Sequence, residues 1–325
     1  MPFDPSEQPA NLLPLASLWH RAAAIIFDSL LLGIVGHGLG WFFWSTWYQI
    51  GPYGRFVGLP IMLLYFGLLN SHLGGGQTVG KRFVKIAVCN AAGQPIGLAR
   101  SLLRITILAT PFMLVGWALP VFEIDLLHWL QLSLVWGLGS ALLYTIIFNK
   151  ASGQGWHDLL CGSYVVHLEG QRVASYPPTP ARHSRLAMLM IGLATGLAGF
   201  LTFVQPAEPT TNTSTLEPLR HTLVAQNRFF TVRVTDRPLP GQQPEPGRLL
   251  DVVVWHKGYL TTPEAQNTLL NDLAATALAE TPGIDQFELL NISVILAYDL
   301  GIAQRSLTIS AYQSIPAWRQ SLAAP

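Results

Sequence analysis

Five apolar runs, each about long enough to cross the hydrocarbon core of a bilayer, constrain this chain more than any other feature. They cover residues 22–46, 54–73, 102–120, 127–148 and 186–204. A helix rises 1.5 Å per residue, so roughly 20 apolar residues span a core of about 30 Å. Inside lipid no water reaches the backbone, and each run must satisfy its own N–H and C=O groups as a helix. The expected fold is therefore a mainly α, polytopic membrane bundle of about five transmembrane helices, followed by a soluble C-terminal α+β domain. Composition agrees, since charged residues are 11% of the 325, against about 25% in an ordinary globular chain. The net charge of +1 excludes nucleic acid as a partner, because no basic field exists to release counterions. The partner that remains is the lipid bilayer.

Lysines and arginines orient the spans, because loops rich in them stay in the cytoplasm. Lys81, Arg82, Lys85, Arg100 and Arg104 lie between or beside runs two and three, and Lys150, Arg172, Arg182 and Arg185 between runs four and five. The turn between the first two runs has only Arg55, and the turn between the third and fourth carries Glu123 and Asp125 instead. The expectation is a multi-pass protein of the cytoplasmic (inner) membrane with its N-terminus inside and its C-terminal domain outside, in the periplasm where there is one. The N-terminus lacks the basic start and cleavage site of a signal peptide, so the first helix is its own insertion signal. Residues 1–169 read as a four-helix membrane domain, 170–204 as a cytoplasmic segment and fifth helix, 205–218 as a Pro/Thr-rich extended linker, and 219–325 as the outer domain.

The cytoplasmic segments are more than loops. Phe83–Cys89 and Ser163–Leu168 are short, β-branched and bounded by glycines, which predicts a small cytoplasmic β-hairpin or sheet. Cys89 and Cys161 are far apart and belong to no CxxC pair, so neither a disulfide framework nor a metal site is expected.

The polar residues inside or beside the helices are the candidates for function. Arg21 stands where the first helix enters the membrane. Asp28 follows seven residues later, on nearly the same face and about 10 Å deeper. A charge at that depth costs about 2.5–3.5 kcal/mol and persists only with a partner. Arg21 itself, an arginine from another helix or a bound cation would serve. After the second run comes a glycine-rich segment with Gly76, Gln77, Thr78, Gly80, Lys81 and Arg82, which ends at Arg100. It is not a phosphate-cradling loop, since it follows a membrane helix and Arg82 stands where such a loop needs Ser or Thr. Its glycines allow a sharp turn at the membrane surface, with Lys81, Arg82 and Lys85 expected to meet anionic headgroups. His157 and Asp158 form a further pair in GQGWHDLLCG, and Asn70 ends the second run close to the glycine segment.

Taken in order, these residues resemble the RDD family, named for an arginine opening the first helix, an aspartate within it and a second aspartate further on. Arg21, Asp28 and Asp158 match the name-giving positions, and the glycine-rich segment and the His157–Asp158 pair match the family's other motifs, over residues 15–168. The resemblance implies a polytopic membrane module for which transport, including sodium/proton exchange in some members, has been proposed. It implies no catalytic role, and no cofactor.

Two readings of Arg21, Asp28, His157 and Asp158 stand side by side. In one they bind a small cation or a proton on a transport path; in the other they are a buried charge network that fixes helix packing. Five helices without an inverted repeat are few for a transporter, which makes a homo-oligomer part of the transport reading. The alternative is a scaffold or sensor anchoring the outer domain, whose extracytoplasmic partner the sequence does not name.

The outer domain predicts strands over 229–235, 250–256, 287–298 and 303–311, a helix from Thr262 to about Glu280, and a short closing helix from Ile315. His221 and His256 are isolated and no nucleophile–base pair stands out, so the expectation is a binding, sensing or assembly module and not an enzyme.

Overall fold

The computed structural model describes residues 12–117, 124–204, 213–239 and 247–323. Helices α1 (Leu18–Phe42), α2 (Trp44–Ile50), α3 (Arg55–Leu69), α4 (Val79–Phe83), α5 (Leu98–Leu114), α6 (Asp125–Leu132), α7 (Gly139–Phe148), α8 (Trp156–Cys161) and α9 (Ala181–Gly199) are joined by strands β1 (Ile86–Cys89) and β2 (Tyr164–His167). After them come α10 (Thr213–Ala225), β3 (Phe229–Pro238), β4 (Arg248–His256), α11 (Pro263–Glu280), β5 (Leu289–Asp299), β6 (Gln304–Ser314) and α12 (Ile315–Ala323).

Four helical stretches are long and apolar enough to cross a membrane: Leu18–Phe42, Trp44–Leu69, Asp125–Phe148 and Ala181–Val204. The run expected over 102–120 is the shorter α5, whose 17 residues begin about one turn earlier and carry Arg100 and Arg104. Its last three residues, 118–120, lie outside the described residues. Proline sits inside α3 (Pro60) and α5 (Pro111) without ending either helix.

Side-chain exposure on α1 shows what a lipid-facing helix requires. Ala24, Asp28 and Leu32 recur at i and i+4 and are buried, while Ile26, Leu30 and Ile34 stand exposed on another face. In water such a face would be a liability, but in hydrocarbon it costs nothing, so apolar residues outside and a carboxylate inside are compatible.

The chain divides into two compact units. The first holds residues 1–37, 55–204 and 301–303. At one end of it β1 and β2 pair antiparallel, Ile86 opposite His167 and Cys89 opposite Tyr164. The strands come from segments nearly eighty residues apart, so this is a two-stranded sheet closed by tertiary contact and not a local hairpin. Residues before α1 extend it, with Leu12 bridging Val173 and Leu15 bridging Val166. Both cysteines are buried free thiols.

The second unit holds residues 38–54, 205–300 and 304–325. Its four-stranded sheet has the order β3-β4-β5-β6, antiparallel except for β4 beside β5, the two strands that α11 connects. Every second residue of the central strands, Leu250, Val252, Val254, Leu290, Ile292, Val294 and Leu296, is fully buried, as are Leu273 of α11 and Leu219 and Leu223 of α10. Thr262 N-caps α11 by accepting a hydrogen bond from the Ala265 N–H, with proline at the first helical position. The segment expected to stay extended to 218 is already helical from Thr213, and residues 205–212 lie outside the described residues. The turn 38–54 also belongs to this unit, where Tyr48 packs against Tyr259 and Tyr298.

Candidate functional site

The glycine-rich segment folds back against α1, and its glycines are where the geometry demands them. Gly75 and Gly76 have φ of 68° and 75°, in the left-handed region that a side chain disfavours. At Gly76 a Cβ would also collide with the Val88 carbonyl oxygen. Space for that contact is needed because the Val88 N–H donates to the Gly76 carbonyl at 2.8 Å, and Gln77 Nε2 donates to the Ile86 carbonyl at 2.9 Å. The turn is thereby attached to the edge of β1. Thr78 then N-caps α4, accepting from the Lys81 N–H.

Asp28 is the anchor of this arrangement. Its carboxylate accepts from the Tyr65 hydroxyl at 2.6 Å, the Thr78 hydroxyl at 2.6 Å and the Gly80 N–H at 2.7 Å. Among the described residues, neither Arg21 nor another arginine is a hydrogen-bond partner of Asp28. Two hydroxyl donors and one amide donor replace the hydration that a buried carboxylate loses. Gly80 must be glycine here, since a Cβ would run into the Ala24 carbonyl oxygen.

Asp158 has a different set of partners. It lies in the first turn of α8 and accepts from Arg104 Nε at 2.6 Å, the Ser163 hydroxyl at 2.7 Å and the Gly155 N–H at 3.3 Å. Both members of the Arg104–Asp158 ion pair are buried. Burial alone would raise the Asp158 pKa, but Arg104, with His157 and Arg21 behind it, holds the carboxyl well below the usual carboxylate range. His157 Nε2 stands 3.4 Å from the Asp158 carboxylate. Burial nevertheless pushes the imidazole down to about 4, outweighing the attraction of Asp158, so His157 is neutral near pH 7. Both residues of the pair are buried.

Arg21 donates from Nη1 to the Gly153 carbonyl and from Nη2 to the Val165 carbonyl at 3.2 Å, which ties α1 to β2. The Gly153 carbonyl is held by a polar knot. Asn149 Nδ2 donates to the Ser152 hydroxyl and the Gln154 carbonyl, both at 2.9 Å, and Gln154 Nε2 donates to the Ser163 carbonyl at 2.8 Å. Arg21 Nε is buried with no hydrogen-bond partner among the described residues.

Lys81, expected to reach lipid headgroups, is turned inward. It is buried, and its Nζ donates to Asn70 Oδ1. Burial first and the positive charge of Arg104 second push the lysine well below its ordinary value, against the opposing pull of Asp158 and Asp28. Lys85 does behave as a surface residue and pairs with Glu169 at 2.5 Å. Arg82 and Arg100 are exposed, and Arg82 makes one long hydrogen bond, to the Gly74 carbonyl at 3.4 Å.

These side chains surround a cavity of about 70 Å³ lined by Arg21, Asp28, Asn70, Lys81, Arg104, His157 and Asp158 among others. Residues from α1, α3 and its end, α4, α5, α7, α8 and β2 meet at it. A model of the RDD family matches residues 15–162. Residues 15–162 are an RDD family domain. No curated protein and no solved structure matches the chain. With its spanning helices, the RDD domain makes this an integral membrane protein, and the remainder of the chain, including the sheet of the second unit, lies outside the match.

Within the RDD domain the structure brings Arg21, Asp28, Asn70, Lys81, His157 and Asp158 to one cavity and leaves Arg82 and Arg100 outside it. Gly76, Gln77, Thr78 and Gly80 act from behind, by shaping and anchoring the turn. Arg104 is the residue that sequence reasoning counted only as an orienting charge. Its signal was its position one turn deeper into an apolar helix than Arg100, where an arginine needs a buried acceptor. Tyr65 gave no signal, because a tyrosine in a membrane helix is unremarkable until a carboxylate is found opposite it.

Proposed function

We propose that this RDD protein moves a small charged solute across the membrane in exchange with protons, and that Lys81 carries the proton. The supporting observation is a buried lysine whose ammonium has, among the described residues, one neutral hydrogen-bond partner, Asn70, beside a polar cavity. Asp28 and Asp158 have their oxygens engaged by donors, so the carboxylates define the field of the cavity and Lys81 is the group free to gain and lose a proton. The charges facing it are Arg21 and Arg104 against Asp28 and Asp158. With Lys81 neutral this set sums to zero, and with Lys81 protonated to +1. Proton binding at Lys81 therefore changes the cavity's affinity for any charged solute, and by linkage the solute changes the proton affinity equally.

The distribution of Lys and Arg supports an inner-membrane orientation with the glycine motif in the cytoplasm and the C-terminal domain outside it. The proposal is of a carrier and not an enzyme, and it includes a homo-oligomer because so few helices per chain make a narrow path. The second reading, a scaffold that anchors the outer domain and its partner, is favoured by the three donors on Asp28, which close the glycine turn onto α1.

Proton flux in proteoliposomes tests the proposal, with the intact protein and Lys81→Met compared under gradients of sodium, potassium, lithium and small carboxylates. Solute-driven proton movement that Lys81→Met abolishes, with the variant still monodisperse in detergent, is the expected result. Absence of flux above empty liposomes under every gradient would leave the scaffold.

A further inference from the structure

The polar cavity does not stand alone. A second cavity of about 280 Å³ shares Ile25, Phe66, Ile105 and Leu108 with it as walls. The same three helices line both, and each changes character in the same direction. On α1 the walls run from Arg21 through Ile25 to Leu32, on α3 from Asn70 through Phe66 to Met62, and on α5 from Arg104 through Leu108 to Phe112. Because α3 runs opposite to α1 and α5, its numbers descend while theirs ascend. From Arg21 to Leu32 the helix climbs about 16 Å at 1.5 Å per residue. One end offers three cations to two carboxylates, and the other is apolar, with Ser29 the one polar side chain on its wall.

We propose that the RDD domain binds a single-chain anionic amphiphile, its carboxylate head among Lys81, Arg21 and Arg104 and its chain in the apolar cavity. The inference deepens the exchange reading by naming the solute class, and it rests on that reading for Lys81 being protonated when the head is bound. Charge complementarity selects the head: a protonated Lys81 leaves the cluster at +1, and a carboxylate returns it to neutrality. Arg21 Nε is a buried donor with no hydrogen-bond partner among the described residues, the kind of group a bound acceptor would satisfy. Size is compatible as well: about 70 Å³ is enough for a carboxylate and about 280 Å³ for one chain, in an apolar pocket left open beside the exposed Ile25 and Phe112. For scale, an apolar cavity of about 150 Å³ takes up one benzene ring. A small inorganic cation would use neither the excess positive charge nor the apolar chamber.

Binding of carboxyl-labelled dodecanoate to the intact protein in a nonionic detergent, followed by carbon NMR, is the direct test. Saturable binding of one dodecanoate per chain is expected. Methyl dodecanoate, which has the chain without the charge, and acetate, which has the charge without the chain, should compete at least tenfold less well. Ser29→Phe places a ring in the apolar cavity from an exposed position on α1, far from the charge cluster, and should weaken binding at least tenfold. Lys81→Met should do the same from the other end. Equal competition by methyl dodecanoate or by acetate would overturn the proposal, and so would undiminished binding in Ser29→Phe. Proton uptake that depends on Lys81, measured without dodecanoate, keeps the two ideas apart. If it is present while dodecanoate fails to bind, the amphiphile falls and the proton site stands; if both are missing, both fall.

Discussion

Replacing Asp28 measures how far the RDD domain depends on one carboxylate. In Asp28→Ala the Gly80 N–H, buried against α1, loses its only acceptor among the described residues, and the Tyr65 and Thr78 hydroxyls lose theirs. An unsatisfied buried donor costs about 1–3 kcal/mol. The two hydroxyls can rotate toward other acceptors and the amide cannot, so Gly80 should carry most of the penalty. Removing a buried charge returns some desolvation energy, and the net loss should be about 2 kcal/mol. Asp28→Asn keeps one carbonyl oxygen and should lose about 1–2 kcal/mol, the difference between charge-assisted and neutral hydrogen bonds. Equilibrium unfolding in mixed micelles, read by tryptophan fluorescence, gives these values, and amide exchange at Gly80 should accelerate in both variants. A double-mutant cycle with Thr78→Val isolates the contact, with a coupling of about 1 kcal/mol expected. The companion cycle with Arg21→Gln should give a coupling near zero, because Arg21 spends its donors on the Gly153 and Val165 carbonyls. Strong coupling to Arg21 and none to Thr78 would refute the reasoning and restore the ion pair that the spacing of the two residues suggests.

The remaining predictions concern the same cavity. Gly80→Ala should cost about 2 kcal/mol or more, since the added methyl must push the turn off the Ala24 carbonyl oxygen; thermal unfolding in detergent measures it, and an unchanged midpoint counts against the close approach. Arg104→Gln strands the buried Asp158 carboxylate and should destabilise by about 3–5 kcal/mol, with Arg104→Gln/Asp158→Asn recovering part of the loss in the same assay. His157 has a folded pKa near 4, below its unfolded value of about 6.5, so the unfolded chain binds the proton first. Its contribution to stability is complete above about pH 6.5 and is lost as the pH falls toward 4, by about 3 kcal/mol. His157→Gln should flatten the stability profile across that window, whereas a parallel profile would show that the imidazole is not held neutral.

Much of this protein is decided locally and can be read from the chain. Twenty apolar residues in a row must be a helix in lipid, whatever they face, and α1 and α9 lie where hydropathy puts them. The glycine turn at 75–76 follows from φ angles that glycine permits, and the N-cap at Thr262 from the side-chain acceptor that threonine supplies. The strands of the second unit follow from an alternation of period two, because Leu250, Val252 and Val254 have one core face to bury. Partners are another matter. Periodicity puts Arg21 and Asp28 on one face of α1 but cannot say what that face meets, and proximity along the helix suggested a pair that the structure does not make. Asp28 is matched by residues 37 to 52 positions away and Asp158 by Arg104, 54 positions away. Those distances close only when β1 finds β2 and the glycine turn docks on α1. A lysine in a basic segment is a surface charge until that docking buries it, so the inward turn of Lys81, and the cavity it faces, was decided by the tertiary structure alone.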